Sequence, residues 1–339
     1  SATSESKGTI DLRSYNPYDI AIDKTTGEAY VTTGFTNGIL KWDMTQLKPL
    51  GFYQDYYFNP AESALLKQSN KLVYRSTIYE GSSSLRKLNL LNNNVGPMIS
   101  KLWNVGGIEG MPALNKFLVT SRTNVTGASN ATYWKSYLHV VDAVSESIDS
   151  SYPIGLSTDF PTKVAYAAGS GKAYVCLYAA REVAIVDLNA AGALKRIKVG
   201  FYPNAIAVND KTQRVYVTNY GSNSLSVIDM RTDTIIATID LGHAPYDVAV
   251  MPATNNIYVA YADDGLVGVW DGDTNTLRKD FTVGRFPHRI RIDASRGRVL
   301  VANYSDASVT VIEDAPTPDV IAPVITHKPV IGVVPSSAP

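Results

Sequence analysis

A short pattern recurs along this chain at a nearly fixed interval. The runs Val215-Tyr216-Val217-Thr218-Asn219-Tyr220, Ile257-Tyr258-Val259-Ala260-Tyr261 and Val299-Leu300-Val301-Ala302-Asn303-Tyr304 set Tyr216, Tyr258 and Leu300 42 residues apart. Tyr174 lies another 42 residues upstream, and Leu118, Val73 and Tyr30 extend the series at intervals of 56, 45 and 43, which makes seven units. Units repeating at this length cannot bury an apolar face alone and must stack on their neighbours.

Each unit follows one grammar. A Gly or polar turn leads to Pro, as in Gly200-Phe201-Tyr202-Pro203, Gly242-His243-Ala244-Pro245 and Gly284-Arg285-Phe286-Pro287. An alternating stretch follows, such as Arg289-Ile290-Arg291-Ile292, and then the Tyr-Val-Thr-Asn-like run. A third stretch ends in an acid or its amide (Asp43, Asn89, Asp142, Asp187, Asp229, Asp271, Glu313), and a fourth resembles Thr234-Ile235-Ile236-Ala237-Thr238-Ile239. Period-two alternation punctuated by Gly, Asn, Asp and Pro is strand-and-turn patterning. Four short strands in about 42 residues describe one blade of a β-propeller. The expected fold is therefore all-β: a seven-bladed β-propeller of four-stranded blades over residues 1–314, with an extended Pro/Val/Ile-rich tail over 315–339. The last unit lacks a fourth strand after Glu313. Gly8-Thr9-Ile10-Asp11-Leu12 reads like Thr238-Ile239-Asp240-Leu241, so the N-terminal strand should complete the last blade and leave no free edge.

The Val215-Tyr216-Val217-Thr218-Asn219 run, followed by Gly221-Ser222-Asn223-Ser224-Leu225-Ser226-Val227-Ile228-Asp229, resembles the YVTN-repeat β-propellers. Prokaryotic cell-surface and surface-layer proteins are prominent in that group. The resemblance spans residues 8–313 and is most regular from 160 onwards. It implies a propeller and an extracellular, cell-surface or periplasmic setting. It implies little chemistry, because related-looking propellers include lactonases, heavy subunits of quinoprotein amine dehydrogenases and d1-haem nitrite reductases.

Composition narrows the classes. The 31 basic and 31 acidic residues cancel, which disfavours nucleic-acid binding, since that rests on excess Lys and Arg meeting phosphates. No apolar run is long enough to span a bilayer as a helix. One cysteine, Cys176, rules out an internal disulfide and a cysteine zinc site, and as part of an apolar strand it reads as a small buried hydrophobe. The opening Ser-Ala-Thr-Ser-Glu-Ser carries no basic, hydrophobic leader, which fits either a cytoplasmic protein without its Met or a secreted one after cleavage; the charged fraction of only 18% favours the second.

Two departures from the repeat stand out. Residues 121–136 lengthen the turn between the second and third strands of unit three, and the turn around Phe160-Pro161 adds the rest of the 56-residue interval. Asn-x-Ser/Thr sequons fall at Asn124, Asn130 and Asn303, the last at the structural Asn position of the repeat. The tail after Ala315 is Pro-rich and extended, yet carries Val324-Ile325, Val330-Ile331 and Val333-Val334. Those pairs call for an apolar groove or a sheet edge on this propeller, a neighbouring copy or another protein.

Propeller ligand sites are expected at the channel mouth, among residues just after each Pro. Here these include Asp19, Glu62, Lys163, Asp247, His288 and Arg289, with Tyr18, Thr162, Asn204 and Tyr246 beside them. The six could form a ligand pocket or simply a solvated lining whose charges neutralise one another. No metal or other cofactor is expected: His243 and His288 stand on opposite sides of their Pro residues, and Asp263-Asp264-Gly265 is mainly a hairpin signal. No Gly-x-Ser-x-Gly elbow appears, and any pairing of a Ser with His139 looks arbitrary. The repeated acid that ends each third strand reads as a turn-former.

The expected function is that of a secreted or cell-surface, non-catalytic propeller, a protein-interaction or structural module whose tail contacts a protein partner or a second copy. The alternative is a propeller enzyme or redox subunit, lactonase-like or quinoprotein-subunit-like, with a site at the channel mouth.

Overall fold

The structure is a computed structural model that describes residues 3–12, 15–34, 38–54, 59–77, 83–92, 94–96, 102, 104–126 and 132–315. The chain is a seven-bladed β-propeller. Its blades cover residues 17–54, 59–89, 105–156, 161–198, 203–240, 247–282 and 287–315. Six are four-stranded antiparallel sheets, and the second shows three strands among the described residues. The only helices among the described residues are four three-residue 3-10 turns, and no helix is long and apolar enough to cross a membrane. The first strands of the blades contact one another in a closed cycle, which forms the wall of a central channel.

The expected closure is present. Thr3–Asp11 pairs antiparallel with Ser308–Ala315, in a register that sets Thr9 opposite Thr310 and Ile10 opposite Val309. The last blade thus gains its fourth strand from the other end of the chain. Leu12 N–H then donates to the Ala307 carbonyl at 2.7 Å, which continues the seam past the strand.

The repeated apolar position explains why the units stack. Tyr30, Val73, Leu118, Tyr174, Tyr216, Tyr258 and Leu300 are all buried, none more than 3% exposed. Each lies in a core cluster shared by its own blade and the next. Tyr216 packs with Val248 and Val250 of the sixth blade, and Tyr258 with Ile290 and Val299 of the seventh. Leu300 packs with Ile20 and Val31 of the first blade, across the closure. The core is thus seven slabs between blades rather than one central mass.

Turn chemistry follows the sequence reading. Asp187 Oδ1 accepts from the backbone N–H groups of Asn189 and Ala190, and Asp271 Oδ1 from those of Asp273 and Thr274. Asp43, Asp142 and Asp229 repeat this two-bond turn. Unit three differs from the expectation of a long turn. Lys116–Thr126 and Thr132–Asp142 are 11-residue strands paired as far as Thr126 opposite Thr132, so most of the insertion extends a hairpin. Alternation continues through the polar Thr and Asn residues, and backbone pairing makes strand the cheaper state. Asn124 is exposed on that hairpin, and Asn130 lies outside the described residues. Asn303 is withdrawn as a glycan acceptor: it is fully buried, and its Nδ2 donates to Ser308 Oγ and Thr310 Oγ1. The expected tail contacts through Val324, Ile325, Val330, Ile331, Val333 and Val334 also lie outside the described residues.

Ile10→Ala should destabilise the fold by about 2–4 kcal/mol, the usual cost of truncating a buried aliphatic side chain. Urea denaturation measures it. Removing residues 1–12 should cost more, because it also strips the pairing partner from Ser308–Ala315. Equal stability of the two truncated forms and the full chain would contradict closure by the N-terminal strand.

Candidate functional site: the central channel

In six of the seven blades the first strand enters the channel at an end marked by Pro; in the third, Val105–Met111, the Pro follows the strand. Just behind that Pro the pairing slips by one residue: between Pro17 and Asp19, between Pro203 and Ala205, and between Pro287 and Arg289. These slips are β-bulges with Tyr18, Asn204 and His288 as the extra residues. Such bulges re-aim side chains at the rims of barrels and beside sites. The repeat's Thr repairs the break. Thr32 Oγ1 accepts from Asp19 N–H at 3.0 Å, and Thr218 Oγ1 from Ala205 N–H at 2.9 Å. A buried amide freed by the bulge is thereby satisfied. Local strain accompanies this geometry: Phe160, Tyr202 and Phe286 precede Pro with φ of 50°, 55° and 55°. Left-handed backbone is costly for aromatic residues and concentrates at functional sites.

The six residues expected at the mouth do not form an open, solvated lining. All are buried. Most are locked into a belt of ion pairs across the channel. Arg289 Nη2 donates to Glu62 Oε1 at 2.7 Å, and Lys163 Nζ lies 2.5 Å from the same oxygen. Arg291 Nη2 lies 2.6 Å from Asp19 Oδ1, and both arginines stand 3.8 Å from Asp247. The carboxylates also stitch blades together. Asp19 accepts from Ser63 N–H of the second blade, and Asp247 from Ile290 N–H of the seventh, each at 2.8 Å. Asn204 Nδ2 donates to the Tyr246 carbonyl at 2.6 Å and so joins the fifth blade to the sixth.

Electrostatics explains the protonation states. Burial opposes ionisation of Asp19, but Arg291, Arg289, Lys163 and the Ser63 N–H outweigh it and bring its pKa down to about 2. Burial likewise opposes ionisation of Glu62, and Lys163, Arg289 and Arg75 prevail, so it too titrates below the ordinary carboxylate range. Glu109 goes the other way. Burial raises its pKa to about 7; Arg291 and Lys163 oppose this, and Asp19 and Glu62 reinforce it. Lys163, Arg289 and Arg291 balance Asp19, Glu62 and Asp247, and Glu109 is the fourth acid for three cations.

His288 is in a different environment. Tyr18, Tyr304, Tyr246 and Phe286 surround its ring at centroid distances of 5.0, 5.3, 6.1 and 6.1 Å. Burial, with Arg289 nearby, lowers its pKa to about 3, so the ring is neutral. It packs among these rings as an aromatic. His243 sits apart from it, 2.9 Å from Asp264 and half-exposed. Among the described residues no three His, Cys, Asp or Glu side chains come together as a metal site. Cys176 is fully buried, and burial pushes its thiol above the ordinary range. His139 does have Ser partners, which sequence reasoning missed. Its ring nitrogens lie 2.8 Å from the buried Ser121 Oγ and from Oγ of the exposed Ser151, in a cross-strand cluster of the third blade. Burial lowers its pKa to about 4.

The belt divides the channel. On the mouth side lies a cavity of about 320 Å³ whose lining draws on all seven blades or the turns leading into them, and Glu62, Lys163 and Arg289 form part of its floor. Tyr18, Thr162, Asn204 and Tyr246 line it as the sequence suggested, while Arg75 and Arg122 were missed. On the other side, a cavity of about 390 Å³ reaches Glu109, Lys163, Asp247 and Arg291. Arg291 was legible in principle, because period two places it on the same face as Arg289. Arg75 and Arg122 carry no such mark. They sit on second strands, and only blade packing turns them towards the axis. No protein-family model matches the chain, and no curated protein matches it either.

Arg289→Met should cost about 3–5 kcal/mol in urea denaturation, since it removes a counter-charge shared by the buried carboxylates Asp19, Glu62 and Asp247. Glu109→Gln tests the charge count. The folded pKa of Glu109 exceeds its unfolded value of 4.5, so the wild type should lose stability as pH rises from about 4.5 to 7 and level off above that. The Gln variant should lack this fall and be more stable at pH 8, by on the order of 3 kcal/mol. Parallel pH profiles for wild type and variant would contradict the assignment.

Proposed function

We propose that this chain is a non-catalytic propeller of the YVTN-repeat kind, secreted or displayed at the cell surface, that acts as a rigid interaction or structural module. The observation that carries the reading is the fate of the channel's ionisable groups. Asp19, Glu62, Asp247, Lys163 and Arg289 are buried and engaged with one another across blades, and His288 is enclosed by aromatic rings. Groups held in this way give the ring rigidity and leave little freedom for proton transfer or nucleophilic attack. The extended hairpin of the third blade supports the same reading. It raises the half-exposed Trp134 on the mouth side of the ring, and Trp is enriched where proteins meet. The repeat resemblance, the low charge and the sequon at Asn124 favour an extracellular setting.

The tail after Ala315 completes the proposal as the strap to a partner or a second copy. Truncation after Asp314 should leave the propeller folded and abolish assembly, as read by light scattering and by co-purification from the native source. Unchanged assembly would reject the strap. Intact mass of the native protein should show added glycan that disappears in Asn124→Gln.

One observation favours a second reading, an enzyme of the channel. Glu109, with a pKa of about 7, borders the larger cavity, and a carboxylate poised there could serve as a general base. Burial of the carboxyl, reinforced by Asp19 and Glu62, accounts for that pKa without catalysis. A turnover on any lactone or ester that Glu109→Gln removes, with the fold intact, would reverse the preference.

A further inference from the structure

The geometry points to an anion-binding site in the mouth-side cavity, formed by Arg75 and Arg122 above the ionic belt and suited to a small molecule bearing a carboxylate or phosphate group. The charge balance motivates it. Within the belt three cations meet three committed carboxylates, so the floor of the cavity is close to neutral. Arg75 and Arg122 are additional. They come from the second strands of adjacent blades, the second and third, and line the same cavity of about 320 Å³. Glu62 is the only carboxylate in the described lining, and Arg289 and Lys163 already bind it.

Neither guanidinium makes a hydrogen bond or close ion pair with an acid among the described residues; Arg75 acts on Glu62 only as a third and weaker counter-charge behind Lys163 and Arg289. Arg75 Nη2 donates to Tyr18 Oη at 3.1 Å, and its guanidinium carbon stands 5.9 Å from the centre of the Tyr18 ring. Arg122 lies over the Phe160 ring at 4.4 Å, and the left-handed φ of 50° at Phe160 presents that ring. Arg75 Nε is buried with no hydrogen-bond partner. A guanidinium on an aromatic platform keeps its in-plane N–H fork free, and that fork matches a carboxylate or phosphate in a bidentate fashion. Asn204 and Thr162, also in the lining, supply neutral polar groups that could orient the rest of a ligand. The cavity is of the size that takes small ligands rather than chains. This inference stands apart from the assembly reading, which depends on the tail.

Isothermal titration of the full chain with inorganic phosphate, and separately with malonate, tests it. Saturable one-to-one binding of at least one probe at low-millimolar concentration is expected, and the preferred probe tells phosphate from carboxylate ligands. Arg75→Gln and Arg122→Gln should each weaken it about tenfold or more, the loss of one charge-assisted interaction. Lys195→Gln removes an exposed cation far from the channel and should leave affinity unchanged. Lack of binding of either probe to the wild type would overturn the proposal, whatever the folding of the variants. So would equal weakening by Lys195→Gln, which would mean diffuse attraction, or full affinity in both folded arginine variants.

Discussion

A four-stranded blade has two faces and no core of its own, so each blade depends on neighbours at both sides. In a ring that dependence is satisfied only if the ring closes. Closure here rests on backbone bonds between Thr3–Asp11 and Ser308–Ala315, and on Leu300 reaching Ile20 and Val31 across the seam. Every inter-blade slab, the channel and its ionic belt exist only because those two ends of the chain meet. The same closure covers the apolar blade faces that an open array would leave exposed at its two ends.

The belt shows how a ring of similar units becomes a particular channel. Bulges behind Pro17, Pro60, Pro161, Pro203 and Pro287 turn side chains towards the axis, and different blades supply different groups there. Acids from the first, second and sixth blades meet cations from the fourth and seventh. A buried ion pair seldom stabilises more than an apolar pair of the same size, but losing one partner is costly. The belt is therefore a device for holding blades in one order and register. It also sets chemistry aside, since it leaves Glu109 as the surplus acid below and Arg75 and Arg122 as surplus cations above.

Much of the candidate site was legible in part. The Pro-anchored position led directly to Asp19, Glu62, Lys163, Asp247, His288 and Arg289, because a repeat fixes equivalent positions around an axis. Their burial was not legible. A channel mouth reads as solvated until the packing of seven first strands shows how narrow it is. His288 illustrates the difference: it does lie in the channel, but its surroundings are four aromatic rings contributed by two blades and two connecting turns. The long hairpin of the third blade gave the opposite lesson, since a Ser/Thr/Asn-rich stretch that reads as a loop is held as strand by cross-strand pairing.

The amino-acid order by itself determined the seven units, the four strands in each, the turn-forming acids and the joining of the two ends. All of these follow from period-two alternation and local turn chemistry, which act over a few residues and repeat. The tertiary structure alone decided which charges face one another, which stay unmatched and where the cavities lie. Those depend on distances between residues more than two hundred positions apart, such as Glu62 and Arg289. No local pattern encodes such a distance; it appears only when the ring is closed.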